Sequence, residues 1–188
     1  MGYLGGMKMT YSLWALPLFL TACGDSSDSH AHHEHEAAGG AAHGSGSAAV
    51  PANPISVVDG VTVVEMTGND RMKFNLESFS VPAGSSVRLT FTNVGRMPKA
   101  AMGHNVVFLT AEADAAAFAT AAAAARDQDY IPADFAEQIV AHTQLLGPGE
   151  SDTIEFTAPE ESGDYEYLCS FPAHMYAGMR GVMTVESP

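Results

Sequence analysis

The chain has 188 residues, 46% of them hydrophobic, with 22 acidic and 8 basic side chains and a net charge of −14. That length and composition suit one folded domain plus accessory segments. Such acidity excludes the basic face that nucleic-acid binding requires, so nucleic acid is not an expected partner.

The first stretch, "MGYLGGMKMTYSLWALPLFLTAC", reads as a secretion signal over residues 1–22. Lys8 supplies the positive charge, and "YSLWALPLFL" is an apolar run too short to span a bilayer. Leu20-Thr21-Ala22-Cys23 resembles a bacterial lipobox. In that reading Cys23 is lipidated and becomes the mature N-terminus. Several acyl chains there give stable membrane anchoring, at about 0.8 kcal/mol per buried CH₂. Gly24 follows the cysteine where an aspartate would signal otherwise, and this favours the outer membrane of the bacterial envelope.

Residues 23–59 read as a linker rich in Ser, Gly, Ala and His. With almost no large apolar side chains it cannot offset the entropy of ordering. About 35 flexible residues span roughly 30–35 Å, so the tethered domain is expected to range over the membrane surface. His30, His32, His33, His35 and His43 form either a polar spacer or a loose copper-capture arm.

The folded domain is expected over residues 60–188. "VTVVEM", "SVRLTFTNV", "HNVVFL", "IVAHTQLL", "DTIEFTA", "DYEYLC" and "GVMTVE" are strand candidates. In "SVRLTFTNV", Val87, Leu89 and Phe91 share one face and Arg88, Thr90 and Thr92 the other. Gly- and Pro-bearing turns separate the runs. The pattern predicts an all-β, antiparallel Greek-key sandwich. One helical insertion interrupts it: "AEADAAAFATAAAAARDQDY" is nearly all alanine, with "PADFAEQI" adding a turn or two.

The chemistry lies in "CSFPAHMYAGM". Cys169, His174 and Met179 occupy one loop near the C-terminus, and His104 opens a strand far upstream in "MGHNVV". One thiolate, two imidazoles and a thioether suit copper, which needs soft sulfur as Cu(I) and accepts nitrogen as Cu(II). Structural zinc would take more cysteines. A dinuclear copper centre would need a second cysteine where Ser170, Phe171 and Pro172 stand. A Cys–His thiol enzyme leaves the methionine and the distant histidine without a role. A buried, inert cysteine would not account for the joint spacing.

These residues carry a resemblance. Residues 65–186 resemble azurin, a cupredoxin, through "GNDRMKFN", "PKAAMGHNVV", "DYIPADF", "IVAHTQLLGPGE" and "CSFPAH". The resemblance implies one type 1 blue copper held by His104, Cys169 and His174, with Met179 as the long axial ligand. The Gly103 carbonyl is the implied weak contact opposite. It also implies that Asn105 ties the ligand loops together, and that a backbone N–H near Phe171 points at the sulfur. Azurins space the second histidine and the methionine by three residues; here four intervene, as in auracyanins, and Met175 is the rival axial donor. The azurin disulfide has no counterpart, and Val106 stands where azurins often carry tryptophan. His142 corresponds to a surface position, and Tyr165 and Tyr167 read as packing residues. Lipid-anchored azurins with low-complexity linkers form a group that this chain resembles.

The function implied is single-electron shuttling between envelope redox partners, without bond chemistry. Cytochromes, a nitrite reductase, a peroxidase or an oxidase are the expected kinds of partner, and the domain is expected to be monomeric. Met97, Met102, Pro172, Ala173 and Met175 are expected to frame the edge of His174 as an apolar docking patch. The alternative is copper storage, delivery or resistance, loaded through the histidine tract.

Overall fold

The computed structural model describes residues 53–187. The signal, Cys23 and the histidine tract lie outside the described residues.

Two five-stranded sheets face each other. The first runs β1 (Ile55–Val58), β2 (Val61–Asn69), β5 (Ser86–Asn93) and β8 (Ser151–Thr157), with β3 (Lys73–Phe74) added to β2. The second runs β4 (Ser78–Pro82), β10 (Arg180–Glu186), β9 (Gly163–Leu168), β6 (Val107–Leu109) and β7 (Ile139–His142). The alternation read in β5 is the packing observed: Val87, Leu89 and Phe91 are buried and Arg88 is exposed.

Two expectations need refinement. Most pairings are antiparallel, but β2–β5 and β4–β10 run parallel; between the paired strands the chain passes through the other sheet, at β4 in the first case and at β5 and β8 in the second. The fold also starts before residue 60: Ile55–Val58 pairs with Val61–Val64 as an edge strand. Val57 and Val58 stay exposed on that edge, so burial left no periodic signal there.

The insertion is helical but shorter than its alanine run. Helix α2 covers Ala115–Ala124, following the single-turn α1 (Lys99–Met102). Asp114 caps α2 by accepting the N–H groups of Ala116 and Ala117 at 2.9 and 3.0 Å. After Ala125 the chain leaves the helix, with Asp129 and Tyr130 both at positive φ. The "PADFAEQI" segment forms a 3₁₀ stretch over Ala133–Gln138. Phe118 and Ala122 carry α2 into the core.

Aromatic rings fill the space beneath the ligand end. Tyr167 is fully buried and packs on Phe74, Phe79 and Phe108 with centroids 5.4–5.7 Å apart. Such pairs contribute about 0.5–1.5 kcal/mol each beyond area burial. The Tyr167 hydroxyl donates to the Leu76 carbonyl at 2.9 Å. Because β9 delivers Cys169 two residues after this anchored ring, the thiol stands on a stiff platform.

Candidate metal centre

Cys169 leaves the end of β9, and the loop that follows folds back on itself. His174 N–H donates to the Phe171 carbonyl at 3.1 Å, and Met179 N–H to the His174 carbonyl at 2.9 Å. Cys169 N–H then donates to the Met179 carbonyl at 3.0 Å, closing the loop. Two residues permit these turns. Ala173 sits at φ +69, a conformation costing an L side chain roughly 1–2 kcal/mol. Gly178 sits at φ +91, where a Cβ would strike the Lys73 ammonium. That ammonium donates to the Ala177 and Gly178 carbonyls at 3.1 and 3.3 Å.

His104 arrives from a separate segment. Its N–H and carbonyl form a two-way bridge with Leu146, at 3.0 and 2.7 Å. Next to it, the Asn105 amide donates to Ser170 Oγ at 2.7 Å, and its carbonyl accepts Ser170 N–H at 2.9 Å. One side chain therefore fastens the upstream loop to the downstream one. All four groups are buried, so these bonds are shielded from water.

Three donor atoms converge. His104 Nδ1 and His174 Nδ1 lie 3.2 Å apart, and Cys169 Sγ lies 3.9 and 3.4 Å from them. A point roughly 2 Å from all three exists in their plane, which is the length of a metal–nitrogen bond and slightly short for metal–sulfur. The donor set fits one ion. Cys169 and His104 are fully buried, and His174 retains 2% exposure. The Gly103 carbonyl is 4.0 Å from Sγ. Met179 is fully buried and completes an arrangement like a type 1 copper site. Room for its thioether comes from Gly68, where a Cβ would fall 2.7 Å from Met179 Cε.

Burial sets the protonation states. It pulls both imidazoles down to about 4, with their mutual repulsion adding to the effect at His174; Asp70 and the Asn69 carbonyl oppose it at His104. Both rings are therefore neutral near pH 7, with lone pairs available. Burial pushes the Cys169 thiol up to about 12, against backbone N–H groups of Asn105 and Phe171 that favour the thiolate. A metal taking the sulfur must displace a proton. The imidazole shifts set a stability window for metal-free protein. The unfolded chain binds protons near pH 6.5, the folded chain only near 4, so the imidazole contribution is constant above about 6.5 and stability falls as pH drops to about 4. Thermal melts of metal-free protein across that range should show a falling midpoint; a flat one would mean the rings are not held neutral.

The residues expected at the docking patch divide. Met97 is 42% exposed, Ala173 is exposed, and Met102 and Pro172 are half-buried. Met175 turns inward and is 4% exposed, because its loop position faces the core while the neighbouring Tyr176 takes the surface at 63% exposed. Tyr176 reaches α2, its hydroxyl donating to the Ala116 carbonyl at 3.3 Å. His142 is exposed and outside the cluster, and Tyr165 and Tyr167 are packing residues. Sequence reasoning missed Ser170, Gly68, Leu146 and Lys73. All four lie in the stretches that carry the resemblance, but nothing local marks their roles, since each acts through a backbone approach or a partner distant in sequence.

The comparisons agree with this geometry. The family model for copper binding proteins, plastocyanin/azurin family, matches residues 61–186. Azurin of Alcaligenes faecalis is 38% identical over 128 residues, covering 66% of this chain and 98% of that protein. Outer membrane protein H.8 of Neisseria gonorrhoeae is 40% identical over 119 residues, covering 62% and 63%. Among solved structures, auracyanin A, a "blue" copper protein of Chloroflexus aurantiacus, superposes with a TM-score of 0.59 at 31% identity, over 68% of this chain and all of that one. Matched over two thirds of its length, and with its donor atoms gathered as a copper site requires, the chain belongs to the plastocyanin/azurin family of copper-binding proteins.

Proposed function

We propose that this chain is a blue copper electron carrier tethered to a bacterial membrane, passing single electrons between redox partners of the cell envelope. The observation that carries the reading is the convergence of two imidazole nitrogens and one thiol sulfur, from separate loops, in a pocket closed to water. Bound copper supplies a Cu(I)/Cu(II) couple that takes up or gives up one electron. His104, Cys169 and His174 would hold the ion, with the Met179 thioether and the Gly103 carbonyl as the further donors available to it. The buried Asn105–Ser170 bonds keep the loops in one geometry, so little rearrangement accompanies electron transfer. Burial of the donor atoms would lower solvent reorganisation and keep water from the ion.

Two other readings fit less well. A thiol enzyme needs a depressed thiol pKa, and burial here drives it the other way. A delivery protein needs ligands an acceptor can reach, whereas these are at most 2% exposed. Reductive titration separates the readings. Copper-loaded protein should absorb strongly in the visible, bleach with one electron equivalent, recover on reoxidation, and keep its copper beside a moderate chelator. Rapid loss of copper to the chelator would favour delivery.

The membrane tether rests on the lipobox ending at Cys23. A matching relative carries the name outer membrane protein, which supports an envelope location for this chain. Expression with radiolabelled palmitate should label the wild type and place it in the membrane fraction. Cys23→Ala should lose both label and membrane association; retention of either would rule out lipidation at that residue.

A further inference from the structure

The charges of the described domain are unevenly placed. Strand β9 runs from Gly163 to Leu168, towards Cys169, and so defines a far end and a metal end. Glu160 and Glu161 precede β9 at the far end, Glu186 closes β10 there, and Glu112 lines the same surface with Glu160 and Glu161. The cations lie the other way. Lys73 holds the ligand loop through the Ala177 and Gly178 carbonyls. Lys99 stands in α1, four residues before Gly103. Lys99 and Arg126 flank a shallow groove floored by Tyr130, Leu145 and Phe171. Arg71 and Arg96 flank Asp70, whose charge is felt by His104. Among the described residues the ion pairs neutralise two other cations, Arg88 with Glu155 and Arg180 with Glu166.

The groove leads to the metal centre. Phe171 packs against the His174 ring with centroids 4.7 Å apart, and Tyr130 packs edge-on against Phe171 at 5.0 Å. The carboxylates nearby are the exposed Asp127 and Asp129 on either side of Gln128, beside Arg126, and Asp70 and Glu150, both of which accept backbone N–H bonds. The metal end of this protein of net charge −14 therefore gathers Lys73, Lys99 and Arg126 beside the ligand loop and the groove, with Asp127 and Asp129 interspersed.

We infer that Lys99, Arg126 and Lys73 form a docking rim for an acidic protein surface, so that the redox partner of this carrier presents carboxylates around its own electron-exchange site. This deepens the electron-carrier reading and rests on it. Net charge alone would favour a basic partner, but the separation of charge turns the metal end towards an acidic one. Partner carboxylates set between Lys99 and Arg126 would bring the partner over Phe171 and the His174 edge. Surface pairs contribute little affinity but steer encounter strongly, which is what a transient electron exchange needs.

Two measurements test the rim. Amide shifts of the protein titrated with hexaglutamate at low salt should move at Lys73, Lys99, Arg126 and Phe171, and those shifts should vanish in K99E/R126E. This arm needs no copper. In the second, reduced copper-loaded protein gives one electron to hexacyanoferrate(III), forming hexacyanoferrate(II). Its rate constant should fall as ionic strength rises, and K99E/R126E should lower it about tenfold at low salt and reverse the slope. A rate that climbs with salt in the wild type, or shifts scattered away from the rim, would overturn the inference. So would rim-dependent binding to vesicles of anionic phospholipid without any hexaglutamate response, which would make the rim a lipid contact. Protein that never becomes blue would instead overturn the electron-carrier reading, with the hexaglutamate arm still deciding whether the rim exists.

Discussion

Replacing Cys169 by serine should abolish the visible absorption of copper-loaded protein and leave the fold intact. The sulfur is the soft donor that stabilises Cu(I), and it sits within 3.4 and 3.9 Å of the two ring nitrogens. A serine hydroxyl is harder, and it stays protonated in a pocket whose burial already pushes the more acidic thiol up to about 12. The backbone bond from residue 169 to the Met179 carbonyl does not depend on the side chain, so the loop keeps its closure. The variant should melt close to metal-free wild type while its colour falls to baseline and its copper is lost on gel filtration. A blue Cys169→Ser protein would place the metal elsewhere.

Asn105→Ala should have the next largest effect, although Asn105 touches no metal. Its amide makes both bonds that hold Ser170 and the ligand loop to the His104 segment. Removing it leaves the buried Ser170 N–H without a partner, which costs about 1–3 kcal/mol of stability. It also frees His104 and Cys169 to move relative to each other. Loss of an outer partner of this kind typically weakens metal affinity about 10–100-fold. Competition with a chelator measures the affinity, and urea unfolding of metal-free protein measures the stability. Unchanged copper retention would show that the two loops are aligned by the sheets alone.

The donor set was legible because its chemistry is local: Cys169, His174 and Met179 lie within one loop, and only His104 had to be placed from a distance. Strand β5 was legible because one of its faces is buried along its whole length. Strands β1, β3 and β4 were not. The first keeps Val57 and Val58 exposed, the second has two residues, and the third ends in Pro82. Parallel pairing of β2 with β5 left no trace either, since side chains alternate identically in either direction. The alanine run marked the helix but not its end, which falls at Ala124, where Ala125 leaves helical geometry and a 3₁₀ turn over Arg126–Gln128 takes over. From sequence, Ser170 counted only as one of the places where a second cysteine is missing. Its role appears only when Asn105, 65 positions away in sequence, closes to 2.7 Å. The supporting residues of the site are thus the part that local pattern does not encode, because each works through a contact the fold creates.

X-ray absorption at the copper edge, on one sample in both oxidation states, tests the account most directly. One short-distance sulfur, two imidazole nitrogens and the more distant Met179 thioether should surround the metal in the oxidised protein, and the same atoms at nearly unchanged distances in the reduced one. Loss of a ligand, gain of a water or a different sulfur count on reduction would contradict a site built to serve both states.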